Sequence, residues 1–226
     1  GSEMCIRDSF NNIWLGSIGG GVLMIDTKQS PFAFYSLNLA EDDVPTTAVR
    51  ALFADADKDL WLGTGSYGLA RKDYETGVLS FFSHIPEFSD IPSVPTVNYI
   101  IQRKNGEVWF ATYDGGILIY EKGEKVKVLT ESDTPYLYSD CVSALCEDSK
   151  GNCWVGCRGG MGISLADGGH YRFGTLSFAG GGLADWYHVK DIVEDADGSF
   201  WIATANYGII HLSLIHISEP TRPEPI

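Results

Sequence analysis

The feature that most constrains the fold of this chain is a short phrase of sequence that recurs five times around a tryptophan. The five tryptophans follow one another at separations of 45 to 48 residues, and they are Trp14, Trp61, Trp109, Trp154 and Trp201. The residue after each tryptophan is large and apolar, and the next one is glycine or alanine. A repeat of this length is typical of proteins built from successive copies of one supersecondary unit.

Each copy is predicted to form a group of short antiparallel strands. In the last copy the apolar runs "VKDIV" and "FWIAT" flank the turn sequence "EDADGS", and a second glycine turn precedes the apolar run "IIHLS". Asp and Gly in such positions are typical of hairpin turns. A weaker fourth strand is predicted over residues 78–82, 124–130 and 170–173. Four strands in a unit of this length indicate an all-β fold, a β-propeller with five four-stranded blades.

The tryptophan of each copy is predicted to fill the space between neighbouring blades. Because strand side chains alternate between two faces, the tryptophan and the glycine or alanine two positions later share one face. The small residue leaves room for the neighbouring blade, while the large apolar residue between them points to the blade on the other side. An exposed, sugar-stacking tryptophan is the alternative, but five tryptophans in one register between apolar residues favour the core.

Composition argues against two roles and predicts the state of the cysteines. A formal net charge of −14, with only 16 basic residues, argues against nucleic-acid binding, which needs clustered Lys and Arg. No run of 18 apolar residues is present, so no membrane-spanning helix is predicted within these residues. Cys153 and Cys157 would lie about 13 Å apart along a strand, too far for a disulfide. Cys5, Cys141 and Cys146 complete the set, and all five are predicted to be free, buried thiols.

No pattern of catalytic or metal-binding residues is recognised. The segments 55–59 and 194–198 are rich in Asp, but the twelfth position counted from Asp55 is Ser66 rather than the Glu of a calcium loop. These segments are therefore predicted to be hairpin turns in which Asp caps the backbone. The histidines form no metal-ligand spacing, and no nucleophile elbow is present. We expect no catalysis, no cofactor and no metal.

A ligand site, if the chain has one, is expected in the loops, because the strands are used for packing. One set of candidates follows the tryptophan strands, and a second set precedes the first strand of the last blade. The segment 183–191 is the richest in groups that can stack on a sugar and hydrogen-bond to it. For Trp186 the alternative is that it fills a gap between two blades. The candidates are Tyr67, Tyr113, Asp114, Arg158, Trp186, Tyr187, His188 and Tyr207.

The five copies resemble the two-component regulator propeller repeat. The pattern of that repeat is a Val-Ile-type strand, Asp-x-x-Gly, then Leu-Trp-Ile-Gly-Thr and a Gly-Gly-Leu. The closest copies are "DADKDLWLGTGSYGL" and "DADGSFWIATANYGI". The third copy departs from the pattern at Arg103, and the fourth departs at Cys157 and at the shifted "GGMG".

This resemblance implies a role in signal transduction. Such repeats build the periplasmic sensor half of hybrid two-component systems, as tandem seven-bladed propellers followed by a β-sandwich, a membrane helix and a kinase. Many of these sensors respond to glycans. The resemblance therefore implies a periplasmic, ligand-sensing or structural propeller without catalysis, whose partners are the rest of the receptor and possible oligosaccharides. The alternatives are an enzyme similar to streptogramin lyases, for which a Glu-x-His motif is missing, and a protein-interaction scaffold.

The two ends of the chain are expected to be foreign to the natural protein. Gly1 and Ser2 are typical of an expression tag, and residues 3–9 and 213–223 resemble translated sequencing adapters. The expected organisation is an adapter-like N-terminus over 1–9, propeller blades over 10–212 and an adapter-like tail over 213–226. The blades are then expected either to form an open arc of a seven-bladed ring, whose unpaired edges invite self-association, or to close as a five-bladed ring. In the five-bladed alternative, residues 1–9 serve as a makeshift edge strand.

Overall fold

The computed structural model describes residues 4–7, 13–17, 21–25, 48–65, 67–173, 176–177, 183–184 and 188–213. Up to residue 25, and between residues 171 and 184, it describes the backbone alone. The chain divides into two compact units, Gly1–Pro45 and Thr46–Ile226. The described regular elements are β-strands and two short 3-10 helices, Phe82–His84 and Pro86–Phe88, so the all-β prediction is confirmed.

The first unit contains one three-stranded antiparallel sheet, which we call sheet 1. Its strands are β1 (Met4–Arg7), β2 (Ile13–Ser17) and β3 (Gly21–Ile25), with β2 in the middle. Trp14 lies on β2, opposite Ile6 and Met24. The side chain of Trp14 lies outside the described residues, so its predicted place between blades stays a prediction.

The second unit contains three four-stranded sheets, each a simple up-and-down meander. The strands of sheet 2 are β4 (Val49–Ala54), β5 (Leu60–Thr64), β6 (Leu69–Lys72) and β7 (Leu79–Phe81). Those of sheet 3 are β8 (Val97–Gln102), β9 (Val108–Thr112), β10 (Ile117–Tyr120) and β11 (Lys127–Leu129). Those of sheet 4 are β12 (Val142–Glu147), β13 (Cys153–Cys157), β14 (Gly160–Ser164) and β15 (His170–Phe173).

The remaining described strands do not complete five equal blades. The pair β16 (Leu176–Ser177) and β17 (Leu183–Ala184) forms a small ribbon. Sheet 5 has three strands, β18 (Val189–Glu194), β19 (Phe200–Thr204) and β20 (Ile209–Leu212). The prediction of five four-stranded blades is therefore wrong in its count for the described residues, where sheets 1 and 5 have three strands. The predicted fourth strands of sheets 2 to 4 are confirmed.

Sheets 2 to 5 pack face to face in the manner of propeller blades. Their first strands, β4, β8, β12 and β18, lie beside one another in sequence order. This places the first strands innermost and the later strands of each meander outside, as in a propeller. Closure into a ring, of five or of seven blades, is not shown by the described residues.

The tryptophan of one sheet packs against the next sheet. Trp61, Trp109 and Trp154 are at most 3% exposed. The Trp61 ring centroid lies 5.1 Å from that of Phe110 in sheet 3, and the Trp154 centroid lies 3.9 Å from that of Phe200 in sheet 5. Phe110 is the large apolar residue that follows Trp109, so it points backwards to the preceding sheet. The predicted role of the tryptophan is confirmed for sheets 2 to 4. That of the large apolar residue is confirmed for sheets 3 and 4, where Phe110 and Val155 pack against the preceding sheet, whereas Leu62 of sheet 2 is only half-buried.

The residue two positions after the tryptophan must be small because a valine of the next sheet lies against it. A Cβ atom built on Gly156 would lie 2.5 Å from Cγ1 of Val189, and one built on Gly63 would lie 2.8 Å from Cγ1 of Val97. Real Cβ atoms do not approach other atoms so closely, so these positions do not accept a side chain without a shift of the neighbour. Val97 and Val189 begin the first strands of sheets 3 and 5. Glycine and valine therefore form one contact that repeats from sheet to sheet.

Trp201 does not follow the prediction. It is 43% exposed, and on the same face of sheet 5 Val193 is 53% exposed and Ile209 70% exposed. The reason is that no described sheet of this unit packs on that face, whereas the equivalent faces of sheets 2 to 4 are covered. The core position of this tryptophan thus depends on a further sheet, and the local sequence alone does not guarantee it.

A carboxylate in the turn between the first and second strands accepts a hydrogen bond from the indole N–H. The donor–acceptor distances are 2.8 Å for Trp61 and Asp55, 3.0 Å for Trp154 and Asp148, and 2.8 Å for Trp201 and Asp195. The predicted backbone caps are present as well: Asp55 accepts a hydrogen bond from the Asp59 N–H, and Asp148 from the Asn152 N–H. The Asp side chains of these turns therefore stabilise the hairpins formed by the first and second strands.

In the third copy, different residues surround the tryptophan and accept the hydrogen bond from its indole N–H. Arg103 stands where the other copies have Asp, and its guanidinium lies 4.8 Å from the centroid of the Trp109 ring. Glu107 takes over as acceptor, with its carboxylate 2.9 Å from the indole nitrogen. Arg103 is also ion-paired with Glu147 of the next sheet at 3.1 Å. The departure at Arg103 is thus a local substitution of partners that leaves the packing of the tryptophan unchanged.

Candidate functional site

The two ends of the sheets in the second unit differ in the turns they carry. The end that carries the Asp-rich turn between the first and second strands is called the lower end. The upper end carries the start of each first strand and the turn after each second strand. Backbone hydrogen bonds join these two segments within one sheet, from Tyr113 N–H to the Thr96 carbonyl and from Arg158 N–H to the Cys141 carbonyl, both at 2.9 Å.

The predicted ligand-binding residues that the structure describes all lie at the upper end. They are Tyr67, Tyr113, Asp114, Arg158, His188 and Tyr207. Trp186 and Tyr187 lie outside the described residues, so both their place and the choice between ligand binding and gap filling for Trp186 stay predictions. Tyr113 and Tyr207 are each 46% exposed. The Tyr67 ring packs on Phe81 of its own sheet, with centroids 6.4 Å apart.

A threonine fixes the upper turn in three of the sheets. Its hydroxyl donates a hydrogen bond to the carbonyl four residues later and accepts one from a backbone N–H of the turn. The glycine that closes each turn has a φ between +66° and +71°, a conformation that other residues adopt only with strain. The pairs are Thr64 with Gly68, Thr112 with Gly116, and Thr204 with Gly208. The upper loops are therefore held in defined conformations.

Arg158 and His188 are brought together by the backbone. They form an isolated antiparallel bridge, so the turn after β13 lies against the segment that leads into β18. The His188 carbonyl also accepts a hydrogen bond from Ala205 N–H at 2.9 Å, which ties this segment to the upper turn of sheet 5. The side chain of Arg158 is exposed, and that of His188 is half-buried.

Five charged or titratable side chains at the upper end include two, His188 and Cys141, whose pKa values are shifted by the charges of the others. Burial lowers the pKa of His188, and the charges of Lys190 and Arg158 lower it further, so the imidazole is neutral at pH 7. Burial and the charge of Asp114 raise the pKa of Cys141, while Arg158 and Lys190 oppose that shift. Sheets 3, 4 and 5 therefore each contribute charged or titratable groups to this part of the upper end, which we call the Arg158 cluster: Asp114, Cys141, Arg158, His188 and Lys190.

Sequence reasoning found three members of this cluster and missed Cys141 and Lys190. Lys190 occupies a position at which each first strand of sheets 2 to 5 is bulged. At the equivalent positions Asn98 and Ser143 donate hydrogen bonds to the carbonyls of Val142 and Val189 in the next first strand. The signal in the sequence was the polar residue that follows the valine of each copy.

A second feature of the second unit is a cavity of about 470 Å³ along the first strands of sheets 2 and 3. It is lined by residues 50–53 and 98–101. Beside it, the hydroxyl of Tyr99 donates a hydrogen bond to Asp191 at 2.9 Å. Burial, followed by the hydrogen bond and charge of Asp191, raises the pKa of Tyr99 to about 12. This hydroxyl stays protonated at neutral pH and links β8 to β18.

The described residues also bear on the other expectations. Cys141 and Cys153 are buried free thiols, and Cys146 is a half-buried free thiol. Cys157 is buried, and the side chain of Cys5 lies outside the described residues. No group of three His, Cys, Asp or Glu side chains in the described part of the chain is arranged to hold a metal ion. In that same part, no helix has the length and apolar character needed to cross a membrane.

Comparison with known proteins identifies one family by sequence. The two component regulator propeller family matches residues 139–159, from just before β12 to the upper turn after β13. This is the fourth copy of the repeat, and it contains both Trp154 and Arg158. No curated protein matches the chain by sequence.

Solved structures show the same fold at low sequence identity. PorZ, a surface component of the type-IX secretion system of Porphyromonas gingivalis, has a TM-score of 0.58 and 19% identity over 92% of this chain and 32% of its own. Virginiamycin B lyase from Staphylococcus aureus, solved as an inactive variant with quinupristin, has a TM-score of 0.51 and 13% identity over 93% and 69%.

The extracellular domain of a putative hybrid two component system from B. thetaiotaomicron matches with a TM-score of 0.48 and 16% identity over 94% and 34%. This chain spans about a third of the length of that domain and of PorZ. The likenesses to PorZ and the lyase show the fold of the chain.

Proposed function

We propose that this chain, which carries the repeat of the two-component regulator propeller family, is a ligand-sensing propeller portion of a periplasmic hybrid two-component receptor, without catalysis of its own. The observation that carries the proposal is the family match over residues 139–159, which includes the upper turn with Arg158. The strands form a packed scaffold, and the loops at one end of such a scaffold are free to hold a ligand.

The geometry of the upper end supports a small polar ligand. Asp114, Arg158 and His188 come from three successive sheets and converge, and Tyr113 next to Asp114 offers an exposed aromatic ring. Aromatic rings that stack and charged groups that hydrogen-bond are the means by which proteins hold saccharides. The proposed ligand is therefore an oligosaccharide that lies across the upper loops of sheets 3 to 5.

A second surface is expected to complete the proposed site. In the receptor type that the repeat resembles, further blades and a β-sandwich belong to the same molecule. Small-ligand affinity depends on enclosure and on convergent polar groups, so a site completed by a second surface binds weakly when that surface is missing. We expect the chain alone to bind oligosaccharides weakly, with a dissociation constant of about 1 mM or above.

The test is a titration followed by NMR, because chemical shifts detect weak binding and report its position. A panel of neutral and acidic oligosaccharides is added to the isotope-labelled chain. Shift changes are expected at residues 113–114, 158 and 186–188, and they are expected to diminish in Arg158→Ala but not in Val128→Ala, a control on the exposed outer strand β11. Changes confined to the lower end, or tight binding that survives Arg158→Ala, contradict the proposal.

A lyase is the second candidate, favoured by the fold likeness to virginiamycin B lyase. That activity is expected to need clustered His and Glu side chains, and His188 is the histidine of the Arg158 cluster. The direct test is incubation of the chain with quinupristin, followed by chromatography of the product. We expect no turnover. If the chain converts quinupristin and a single substitution at His188 abolishes this turnover, the chain is an enzyme and the proposal of a sensor without catalysis is wrong.

A further inference from the structure

The charges of the second unit are distributed unequally between its two ends. The Asp-rich turns gather carboxylates at the lower end, where they bind indole and backbone N–H groups. Four of the five ion pairs among the described residues involve carboxylates of that end: Asp57, Asp59, Glu107 and Glu147. These carboxylates are held at the lower end, away from the upper loops.

Two cations of the Arg158 cluster have no such partner. Arg158 and Lys190 are exposed, and neither forms an ion pair or a side-chain hydrogen bond with a described residue. Asp114 lies close enough to influence the same thiol as these cations, but it does not form an ion pair with either of them. The Arg158 cluster therefore presents one guanidinium and one ammonium group, and neither is paired with a described carboxylate.

His188 adds a polar atom that lacks a partner. Its Nε2 is buried and has no hydrogen bond to any described residue. A buried nitrogen without a partner is costly, and such atoms in native structures call for a ligand or another explanation. In the tautomer that carries its proton on Nε2, this nitrogen is available to donate a hydrogen bond to a ligand.

We propose that Arg158, His188 and Lys190 bind an anionic group, a carboxylate or a sulfate, on the saccharide ligand. This inference rests on the proposed function and names the ligand class of the same site. A guanidinium donates two parallel hydrogen bonds to either anion, and Lys190 supplies a second positive charge from the bulge of β18. Asp114 remains as an acceptor for sugar hydroxyl groups, which also disfavours a ligand that is anionic along its whole length.

The test compares a saccharide that carries one carboxylate with the neutral methyl ester of the same compound. A trisaccharide with one glucuronate residue and two neutral residues, and its methyl ester, are titrated into the chain under the same conditions, with inorganic sulfate as a third probe. Exposed ion pairs are worth up to about fivefold in affinity each, so the acid is expected to bind about tenfold more tightly than the ester. Arg158→Gln and Lys190→Gln are each expected to reduce this ratio, and the double variant is expected to bring it close to one.

The ratio of the two affinities is the readout, because a general loss of structure lowers both affinities without removing the preference. Lys127→Gln on β11 is the matched control, an exposed cation whose removal leaves the ratio unchanged. Equal binding of acid and ester at the upper loops overturns the anionic site and leaves the proposed function standing. Binding of neither ligand counts against both. A preference that survives the double variant, or sulfate binding elsewhere as an adventitious ion only, overturns the site.

Discussion

Trp154 and Trp201 offer a controlled comparison, because they occupy the same register, make the same indole bond to Asp and differ in whether a sheet covers them. Replacing each by alanine removes a side chain that buries about 150–250 Å² when covered. At about 25 cal/mol per Å² that area corresponds to about 4–6 kcal/mol, and measured losses for such substitutions are about 3–5 kcal/mol. The size of the loss should therefore follow the burial.

For Trp154→Ala we expect a decrease of about 4 kcal/mol in the free energy of unfolding. Trp154 is 2% exposed, its ring packs on Phe200, and its removal takes one hydrogen bond from the buried Asp148. For Trp201→Ala we expect a smaller decrease of about 2–3 kcal/mol, because 43% of the side chain is already in contact with solvent. Its remaining contacts include a stacked His211 with centroids 4.2 Å apart.

The assay is urea-induced unfolding followed by far-ultraviolet circular dichroism, which does not depend on tryptophan emission. The slope of free energy against urea concentration must be the same in both variants for the comparison to hold. Losses that agree within about 0.5 kcal/mol, or a larger loss for Trp201→Ala, would refute the conclusion that the tryptophan stabilises the fold through the next sheet.

Three further predictions concern the same contacts. Gly156→Ala is expected to lower the free energy of unfolding by about 1–3 kcal/mol, and Val189→Ala in the same chain to restore part of it in urea titrations. Burial alone would raise the pKa of Asp148, but hydrogen bonds outweigh it and lower that pKa. Its contribution is then present above the unfolded pKa near 3.8 and lost as the pH falls through the folded value, so the stability difference between wild type and Asp148→Asn should shrink below about pH 4; a constant difference contradicts this. Copies are expected to associate through the exposed faces of Trp201 and Leu52, so by light scattering Trp201→Asp and Leu52→Asp are each monomeric, while their mixture forms a dimer. A wild-type chain that stays monomeric at high concentration counts against that contact.

The repeated contacts were readable from the sequence because they depend on local spacing. The Trp154 position, the glycine two residues later and the valine of the following copy all follow from period-two strands and a constant repeat length. The exposure of Trp201 did not follow, because it depends on whether another sheet packs there. The hydrogen bond from the Trp154 indole to Asp148 was missed as well. It forms only because the hairpin turn brings these two residues, six positions apart in sequence, next to each other.

The candidate site was predictable in its position but only partly in its members. Loops after the second strands lie at the end where the first strands begin, so the two sets of candidates, with Arg158 and His188, fall at one end of the sheets. That they form a bridge with each other depends on the packing of two sheets, and the sequence does not encode it in a local pattern. Lys190 became a candidate only once the bulge of β18 placed it beside them.

The proposal that the upper loops sense a ligand on behalf of a kinase is tested most directly by phosphorylation. A receptor that carries these repeats in front of a kinase is expressed in membrane vesicles, and autophosphorylation is followed while saccharides are added. A ligand-dependent change is expected in wild type and in Lys127→Gln, whereas Arg158→Gln is expected to respond only at about fivefold higher saccharide concentration. A ligand response that persists unaltered in Arg158→Gln would contradict the proposal.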